Sequence, residues 1–156
     1  MQIRPASPAD LPACARLLRA SALEFILHAC PVEGACTFLR ENDAAALRGF
    51  LAAGHAYHVA RAEGGIAGFI ALRDNGHVTH LFVDRRWHRQ GLARRLWQAA
   101  RAAALARGGS GVFTVDASDY ALPVYLAFGF APAAPTRCVK GVRFHPMRYT
   151  RRPSPL

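Results

Sequence analysis

The chain has 156 residues, of which 52% are hydrophobic and 19% are charged, so it can bury a substantial core as one globular domain. No apolar run approaches the roughly 20 residues that cross a bilayer as a helix. The opening segment, MQIRPASPAD, lacks the apolar core of a secretion signal. We therefore expect a cytoplasmic protein without a membrane partner.

The formal net charge is +10, and Lys140 is the sole lysine among 20 basic residues. Such a charge makes a basic nucleic-acid-binding domain one alternative. No zinc-ligand spacing and no RNA-binding aromatic motif supports that alternative, so we do not expect a nucleic-acid partner. Instead, five of the arginines surround one short segment, where a polyanionic cofactor would use them: Arg85, Arg86, Arg89, Arg94 and Arg95.

The four cysteines, at positions 14, 30, 36 and 138, contain no C-x-x-C pair and have no metal-like spacing with histidine. In a cytoplasmic protein such cysteines are reduced and serve mostly as small core residues. The sequence therefore predicts no metal site and no redox role.

The first part of the chain predicts a strand followed by several helices. Residues 1–6 form the strand, and Ser7-Pro8-Ala9-Asp10 is a helix start that carries the chain to about Ala20. Residues 21–54 are a variable helical region, in which Pro31 and Gly34 interrupt an apolar cluster. Two further helical stretches are predicted there, over 37–40 and 44–53.

The rest of the chain alternates between strands and helices. Two glycines between apolar runs indicate a hairpin, and Asp74-Asn75-Gly76 indicates a second turn. The predicted elements are strands over 55–61, 66–72 and 77–83, a helix over 91–107, a strand over 112–116, a helix around Tyr125 and a last strand over 142–147. Residues 151–156 form a basic tail.

The segment from His77 to Trp97 passes from a strand through a cationic loop into a helix. The first backbone N–H groups of such a helix have no intrahelical partner, and together with the helix dipole they attract a phosphate or pyrophosphate. Gly91 removes the side chain where a ligand would approach the backbone. We interpret this turn as a pyrophosphate cradle, with an ordinary strand-to-helix turn as the alternative.

Two motifs in this region resemble the GCN5-related N-acetyltransferases (GNAT). Val83 to Ala93 is similar to V-x-x-x-x-(Q/R)-x-x-G-x-(G/A), the motif that binds the pyrophosphate of acetyl-CoA, with His88 in place of Gln or Arg. Asp116 to Phe130 resembles (N)-A-S-x-x-A-x-x-x-Y-x-x-x-G-F, with Asp116 in place of Asn. The resemblance is loose over residues 1–60 and close over 67–130.

The resemblance implies an α/β (α+β) fold of the GNAT type for residues 1–150. In this fold a central mixed, mostly antiparallel sheet of six or seven strands is flanked by about four helices and splayed between its fourth and fifth strands. The implied activity is transfer of an acetyl group from acetyl-CoA to a primary amine by direct attack in a ternary complex. We favour a small-molecule amine over a protein acceptor, and we leave a homodimer open.

The implied cofactor-binding residues lie on the central strand, in the cradle and before the last helix. They are Leu81, Phe82, Val83, His88, Arg89, Gln90, Gly91, Leu92, Ala93, Arg94 and Ser118. The resemblance also implies an oxyanion donor at the backbone N–H of Phe82 or Val83. Tyr125 is the implied hydrogen-bond donor to the leaving thiolate, and Tyr120 is the next candidate.

His77 and His80 are the candidates for the general base, with water as the alternative. Strict alternation places His77 on the face of Leu81 and Val83, and His80 on the opposite face. A histidine with a pKa near ~6.5 is mostly neutral in the cytoplasm and can accept a proton. A non-catalytic acyl-CoA-binding module is a further alternative, although Tyr125 argues against it.

Overall fold

A computed structural model describes residues 1–150, and within them the chain forms eight strands and five α-helices. The strands are β1 (Gln2–Pro5), β2 (Ala56–Ala62), β3 (Gly65–Arg73), β4 (His77–Val83), β5 (Val112–Ala117), β6 (Ala131–Pro132), β7 (Arg137–Val139) and β8 (Val142–Thr150). The helices are α1 (Leu11–Phe25), α2 (Val32–Glu41), α3 (Ala44–Ala52), α4 (Leu92–Ala106) and α5 (Leu122–Phe128). No helix of this part of the chain is long and apolar enough to cross a membrane.

The strands form one sheet in the order β1-β2-β3-β4-β5-β8-β6, with β7 paired to the first residues of β8. Every pairing is antiparallel except that of β4 with β5. That parallel pairing stops after His77–Thr114 and Val78–Val115. The predicted mixed, mostly antiparallel sheet and its splay are confirmed. The short strands β6 and β7 were not predicted.

Helices cover both faces of the sheet. Helix α4 packs on one face through Leu96 and Trp97, in a core that includes Phe113 of β5 and Phe130. Helices α1 and α3 cover the other face, where Leu18 and Leu47 contact a core centred on Phe69. The two apolar layers hold the sheet between them, and the splay is where β4 and β5 stop pairing.

A β-bulge in β4 overturns the predicted alternation. His80 pairs with Ala71 and Val78 with Leu72, so Thr79 is the extra residue between them. Val78 therefore packs with Leu81 and Val83 against α4. His77 lies on the opposite face together with His80, not with Leu81 as strict alternation predicts.

The predicted break at Gly34 is also wrong, because Gly34 lies inside α2. Only Pro31 precedes the helix. A Cβ at Gly34 would lie 2.1 Å from the carbonyl oxygen of Lys140, in the turn between β7 and β8. The glycine is needed for this close approach and does not end the helix. Helix α1 likewise runs to Phe25, beyond the predicted end at Ala20.

Asp10 ties the first strand to the start of α1. Its carboxylate accepts hydrogen bonds from Arg4 Nη1 at 2.8 Å and from the Ser7 backbone N–H at 2.8 Å. The Arg4 guanidinium, followed by the Ser7 N–H, lowers the pKa of this nearly buried carboxyl to about 2. The group is therefore ionised in the folded protein at all but very acidic pH.

We expect Asp10→Ala to lower the free energy of unfolding by about 1–3 kcal/mol at pH 7, because Arg4 and the Ser7 N–H lose their shared acceptor. A folded-state pKa below the ordinary value of 3.8 stabilises the fold above that value, and the contribution is lost as the pH falls toward 2. Urea unfolding at pH 7 and pH 3 measures both effects. Glu24→Ala, which removes an exposed ion pair with Arg85, is the control and should cost less than about 1 kcal/mol. Equal losses in the two variants would contradict this account.

Candidate functional site

A cavity of about 760 Å³ opens where β4 and β5 separate. Its wall combines the end of β4, the loop into α4, the end of β5, and helix α5. Thirteen of the fourteen sequence-predicted site residues line it: His77, His80, Leu81, Phe82, Val83, His88, Arg89, Gly91, Leu92, Ala93, Arg94, Ser118 and Tyr125. Gln90 does not, because its side chain turns back to donate to the carbonyl oxygen of Arg86 at 3.1 Å.

The cradle consists of residues 89–94, at the turn into α4. Arg95 is the first residue of this turn whose backbone N–H forms a helical hydrogen bond. It donates to the Gly91 carbonyl at 3.1 Å. The six preceding backbone N–H groups make no hydrogen bond to any residue from 1 to 150. Gly91 has a φ of 77°, and a Cβ added there would meet no atom within 4 Å. The open space in front of these N–H groups suits an anionic group.

The arginines around the cradle are less available than the sequence suggests. Arg85 forms an ion pair with Glu24, and Arg86 with Asp84. Arg94 donates to the Ala127 carbonyl at 3.2 Å, and Arg95 reaches the Met1 carbonyl at 3.5 Å. Arg89 makes no ion pair or hydrogen bond with its side chain in the described chain. The cradle therefore depends on backbone N–H groups first and on Arg89 and Arg94 next, the two of these arginines that line the cavity.

His88 fastens the cradle loop to the end of β4. Its Nε2 donates to the Val83 carbonyl at 2.8 Å, which leaves Nδ1 as the acceptor for the Tyr120 hydroxyl at 3.3 Å. Tyr120 in turn stacks on Phe25 of α1, with ring centroids 4.3 Å apart. The residue that departs from the motif is thus held by protein contacts on both ring nitrogens, and it bridges the β4 side of the splay to the β5 side.

Tyr125 projects from α5 into the opposite wall of the same cavity. The side chain is only 4% exposed, and its hydroxyl forms no hydrogen bond with residues 1–150. Burial raises the pKa of this phenol well above its ordinary value of 10.0. Tyr125 is therefore neutral, poorly acidic and free to donate a hydrogen bond to a ligand.

The two candidate histidines share a face but differ in their surroundings. His80 is buried, donates from Nε2 to Asn42 Oδ1 at 2.7 Å, and burial lowers its pKa to about 3. His77 is half-buried, and its Nδ1 lies 2.8 Å from Thr114 Oγ1. Burial, assisted by the charge of Arg73, lowers the pKa of His77 below 6.5. Both rings are neutral at pH 7, and that of His77 is the more readily protonated.

Several cavity residues escaped the sequence reasoning, most of them because they come from elements outside both motifs. Helices α1 and α2 and the residues that follow them contribute Phe25, Ile26, Phe38 and Asn42, strands β3 and β8 contribute Arg73 and Phe144, and the second motif contributes its first residue, Asp116. Asp116 stood out only as a departure from the motif. Among residues 1–150, no group of three or more His, Cys, Asp or Glu side chains is placed to hold a metal ion.

Comparison with protein families agrees with this arrangement of splay, cradle and tyrosine. The family model of the acetyltransferase (GNAT) domain matches residues 26–151. The chain belongs to this family. The match includes the whole cavity wall except Ser21 and Phe25.

Solved structures of GNAT proteins share the fold over nearly the full length. A GCN5-related N-acetyltransferase from Rhodopseudomonas palustris is 24% identical, with a TM-score of 0.78 over 96% of this chain and 94% of that one. YncA from Salmonella typhimurium, solved with its cofactor acetyl-CoA, is 19% identical, with a TM-score of 0.71 over 99% and 97%. An aminoglycoside 6'-N-acetyltransferase complexed with coenzyme A is 13% identical, with a TM-score of 0.73 over 99% of each chain. No curated protein matches this GNAT chain by sequence.

Proposed function

We propose that this GNAT domain transfers the acetyl group of acetyl-CoA to a primary amine while both substrates are bound. The observation that carries the proposal is one cavity that presents unpaired backbone N–H groups at one end and the free hydroxyl of Tyr125 on its wall. The first feature suits a pyrophosphate and the second suits a leaving thiolate. A non-catalytic acyl-CoA-binding module needs only the first.

The cofactor fits the residues present. The N–H groups of residues 89–94 would bind the pyrophosphate, with Arg89 and Arg94 beside it. The exposed edge of β4 offers backbone groups to the pantetheine arm, and Ser118 lines the cavity on the other side. When bound, acetyl-CoA would supply the acetyl group as an activated thioester.

The orientation of β4 favours one of the two predicted oxyanion donors. Asp84 donates its N–H to the Ala67 carbonyl of β3 at 2.8 Å. Because backbone groups alternate along a strand, Phe82 also directs its N–H toward β3, whereas Leu81 and Val83 direct theirs toward the splay. We therefore assign the oxyanion donor to Val83 rather than Phe82, with Leu81 as the other N–H on the same edge.

In the reaction, the amine nitrogen forms a bond to the acetyl carbon, and the bond from that carbon to sulfur breaks. The amine loses a proton and the departing sulfur gains negative charge. Tyr125 donates a hydrogen bond to that sulfur, and its raised pKa means that it stabilises the thiolate more than it protonates it.

We assign the proton acceptor to His77 rather than His80. His80 uses Nε2 to bind Asn42, and a pKa of about 3 makes it a very weak base. His77 uses only Nδ1, so its Nε2 remains available to accept the proton directly or through water. Only the neutral ring can act in this way, and the pKa below 6.5 keeps it neutral at pH 7.

Gly91→Glu tests the cradle. A glutamate at this position meets no neighbouring atom, although the positive φ strains its backbone, and it places a carboxylate in front of the N–H groups, so we expect the dissociation constant for coenzyme A to rise at least about 100-fold. Gly108→Glu is a matched control at the other end of α4, since Gly108 also has a positive φ, of 88°, and open space around an added Cβ. Calorimetry with coenzyme A measures both variants. Equal affinities in the two variants would remove the cradle from the proposal.

Tyr125→Phe tests the hydrogen bond to sulfur. Because this bond forms only as charge develops, we expect kcat to fall about 10–10³-fold while the affinity for acetyl-CoA stays near the parental value. The ring still fills its buried site, so the melting temperature should change little. Steady-state kinetics with a thiol-release readout decide the matter. Parental turnover with rate-limiting chemistry would make Tyr125 a packing residue and would leave the acyl-CoA-binding module as the better function.

His77→Gln tests the base, because glutamine can keep a hydrogen bond to Thr114 but cannot accept the proton. We expect kcat/KM to fall about 10²–10⁴-fold. In the parent, the slope of log kcat/KM against pH should increase by one below the pKa of His77. The variant should not show this steepening. The control, Thr114→Val, removes the ring's partner but not the base, so it should keep the steepening. A variant with the parental profile would assign proton removal to water.

A further inference from the structure

The cavity has a second half, beyond the cofactor-binding residues, which we call the acceptor half. It is defined by Ile26, Phe38, Asn42, Arg73, His77, Asp116 and Phe144. Two of these side chains are phenylalanines contributed by different elements, α2 and β8. Phe82 of β4 adds a third aromatic ring to the cavity wall. The acceptor half therefore offers flat apolar surfaces to whatever enters it.

Helix α2, which carries Phe38, contacts the turn between β7 and β8. Gly34 packs against the Lys140 carbonyl so closely that a Cβ would lie 2.1 Å from it, and Gly141 packs against Pro31. Lys140 also forms an ion pair with Glu41, at the end of α2. Phe38 follows Gly34 by one helical turn and so lies on the same side of α2. The acceptor half shares a cavity of about 760 Å³ with the proposed cofactor, and this volume suits a small acceptor better than a folded polypeptide.

Asp116 is the one carboxylate that lines the cavity. The carboxylates around it are already engaged: Glu24 with Arg85, Glu41 with Lys140, and Asp119 with His145 and Arg143. The carboxylate of Asp116, in contrast, makes no hydrogen bond or ion pair with any residue from 1 to 150, and the side chain is exposed to the cavity. It is a single negative charge without a partner.

The position of Asp116 suits a reacting amine. Thr114 and Asp116 are two residues apart on β5, so both side chains lie on the sheet face that carries His77. The hydrogen bond from His77 to Thr114 fixes that ring at the start of the splay, and Asp116 follows about 7 Å further along the opening edge. An ammonium group at Asp116 would therefore lie between the proposed base and the proposed thioester site.

We infer that the acceptor half binds a small primary amine with one positive charge and an aromatic body, whose ammonium group is bound by the Asp116 carboxylate. The inference rests on the proposed function, because the bound amine would be the acetyl acceptor. The binding of the amine is argued from the residues of the cavity wall. A polyamine or an aminoglycoside would bring several positive charges into a half that holds one carboxylate and Arg73. The net charge of +10 opposes such polycations further.

The experiment compares 2-phenylethylamine with spermidine and kanamycin, using thiol release from acetyl-CoA by the full chain. We expect kcat/KM for 2-phenylethylamine to exceed that for either polycation at least about tenfold. Asp116→Asn should raise the KM for 2-phenylethylamine about 10- to 100-fold, because an ionic hydrogen bond is lost, with little change in kcat or in the KM for acetyl-CoA. Asp119→Asn is the matched control outside the cavity wall and should leave all three constants unchanged.

Calorimetry separates failure of this inference from failure of the proposed activity. The titrant is 2-phenylethylamine, added to the chain in the presence of coenzyme A. Saturable binding that Asp116→Asn weakens about tenfold or more supports the inference even in a chain that releases no thiol. Binding that is absent, or equally strong in the Asp116→Asn variant, overturns it, as does a clear preference for spermidine or kanamycin in a chain that is active.

Discussion

The early separation of β4 from β5 is the constraint on which the rest of this structure depends. Two residue pairs hold the strands together, and from Thr79 onward the edge of β4 faces a cavity instead of a neighbouring strand. Backbone N–H and C=O groups in a protein interior need partners, and an unmade hydrogen bond costs about 1–3 kcal/mol. An extended polar ligand that lies along this edge can supply those partners in the way an added strand does. The splay is thus both a defect of the sheet and a binding surface.

The separation persists because each strand is fixed to its own half of the sheet. Six residue pairs join β4 to β3, and six join β5 to β8. On the α4 side, Trp97 makes an edge contact with Phe113 of β5 and Leu96 packs beside Gly68 of β3, so one helix spans both halves. Closing the splay would move one half against the other and would break this packing.

The sequence predicted those parts of the site whose structure is set by residues close together in the chain. Motif spacing placed Gly91, His88 and Tyr125 on the correct elements, because a strand, a tight turn and a helix start each have a short-range signal. The bulge at Thr79 has no such signal, since it is set by pairing with β3, and it moved His77 to the opposite face. Gly34 likewise looked like a helix breaker until its contact with Lys140, 106 positions along the chain, gave it a packing role.

The acceptor half was beyond prediction for the same reason. Its phenylalanines come from α2 and β8, and no periodicity in the sequence relates Phe38 to Phe144. Their meeting depends on the whole sheet order and on contact between α2 and the turn between β7 and β8. Local patterns therefore fix where the cofactor would bind, whereas the tertiary arrangement decides what the second substrate can be.

Charge is segregated along the cavity in a way that gives the two proposed substrates opposite preferences. The cradle end presents Arg89, Arg94 and the positive end of α4, whereas the acceptor half presents Asp116 as its one carboxylate and Arg73, which is paired with Asp74. A polyanionic cofactor is attracted to the first and repelled by the second, and a cationic amine has the reverse preference. The protein as a whole is strongly basic, so it would attract the proposed cofactor from solution but would offer an amine a single favourable position. Binding at that position would bring the amine beside His77, where it could lose its proton and become nucleophilic.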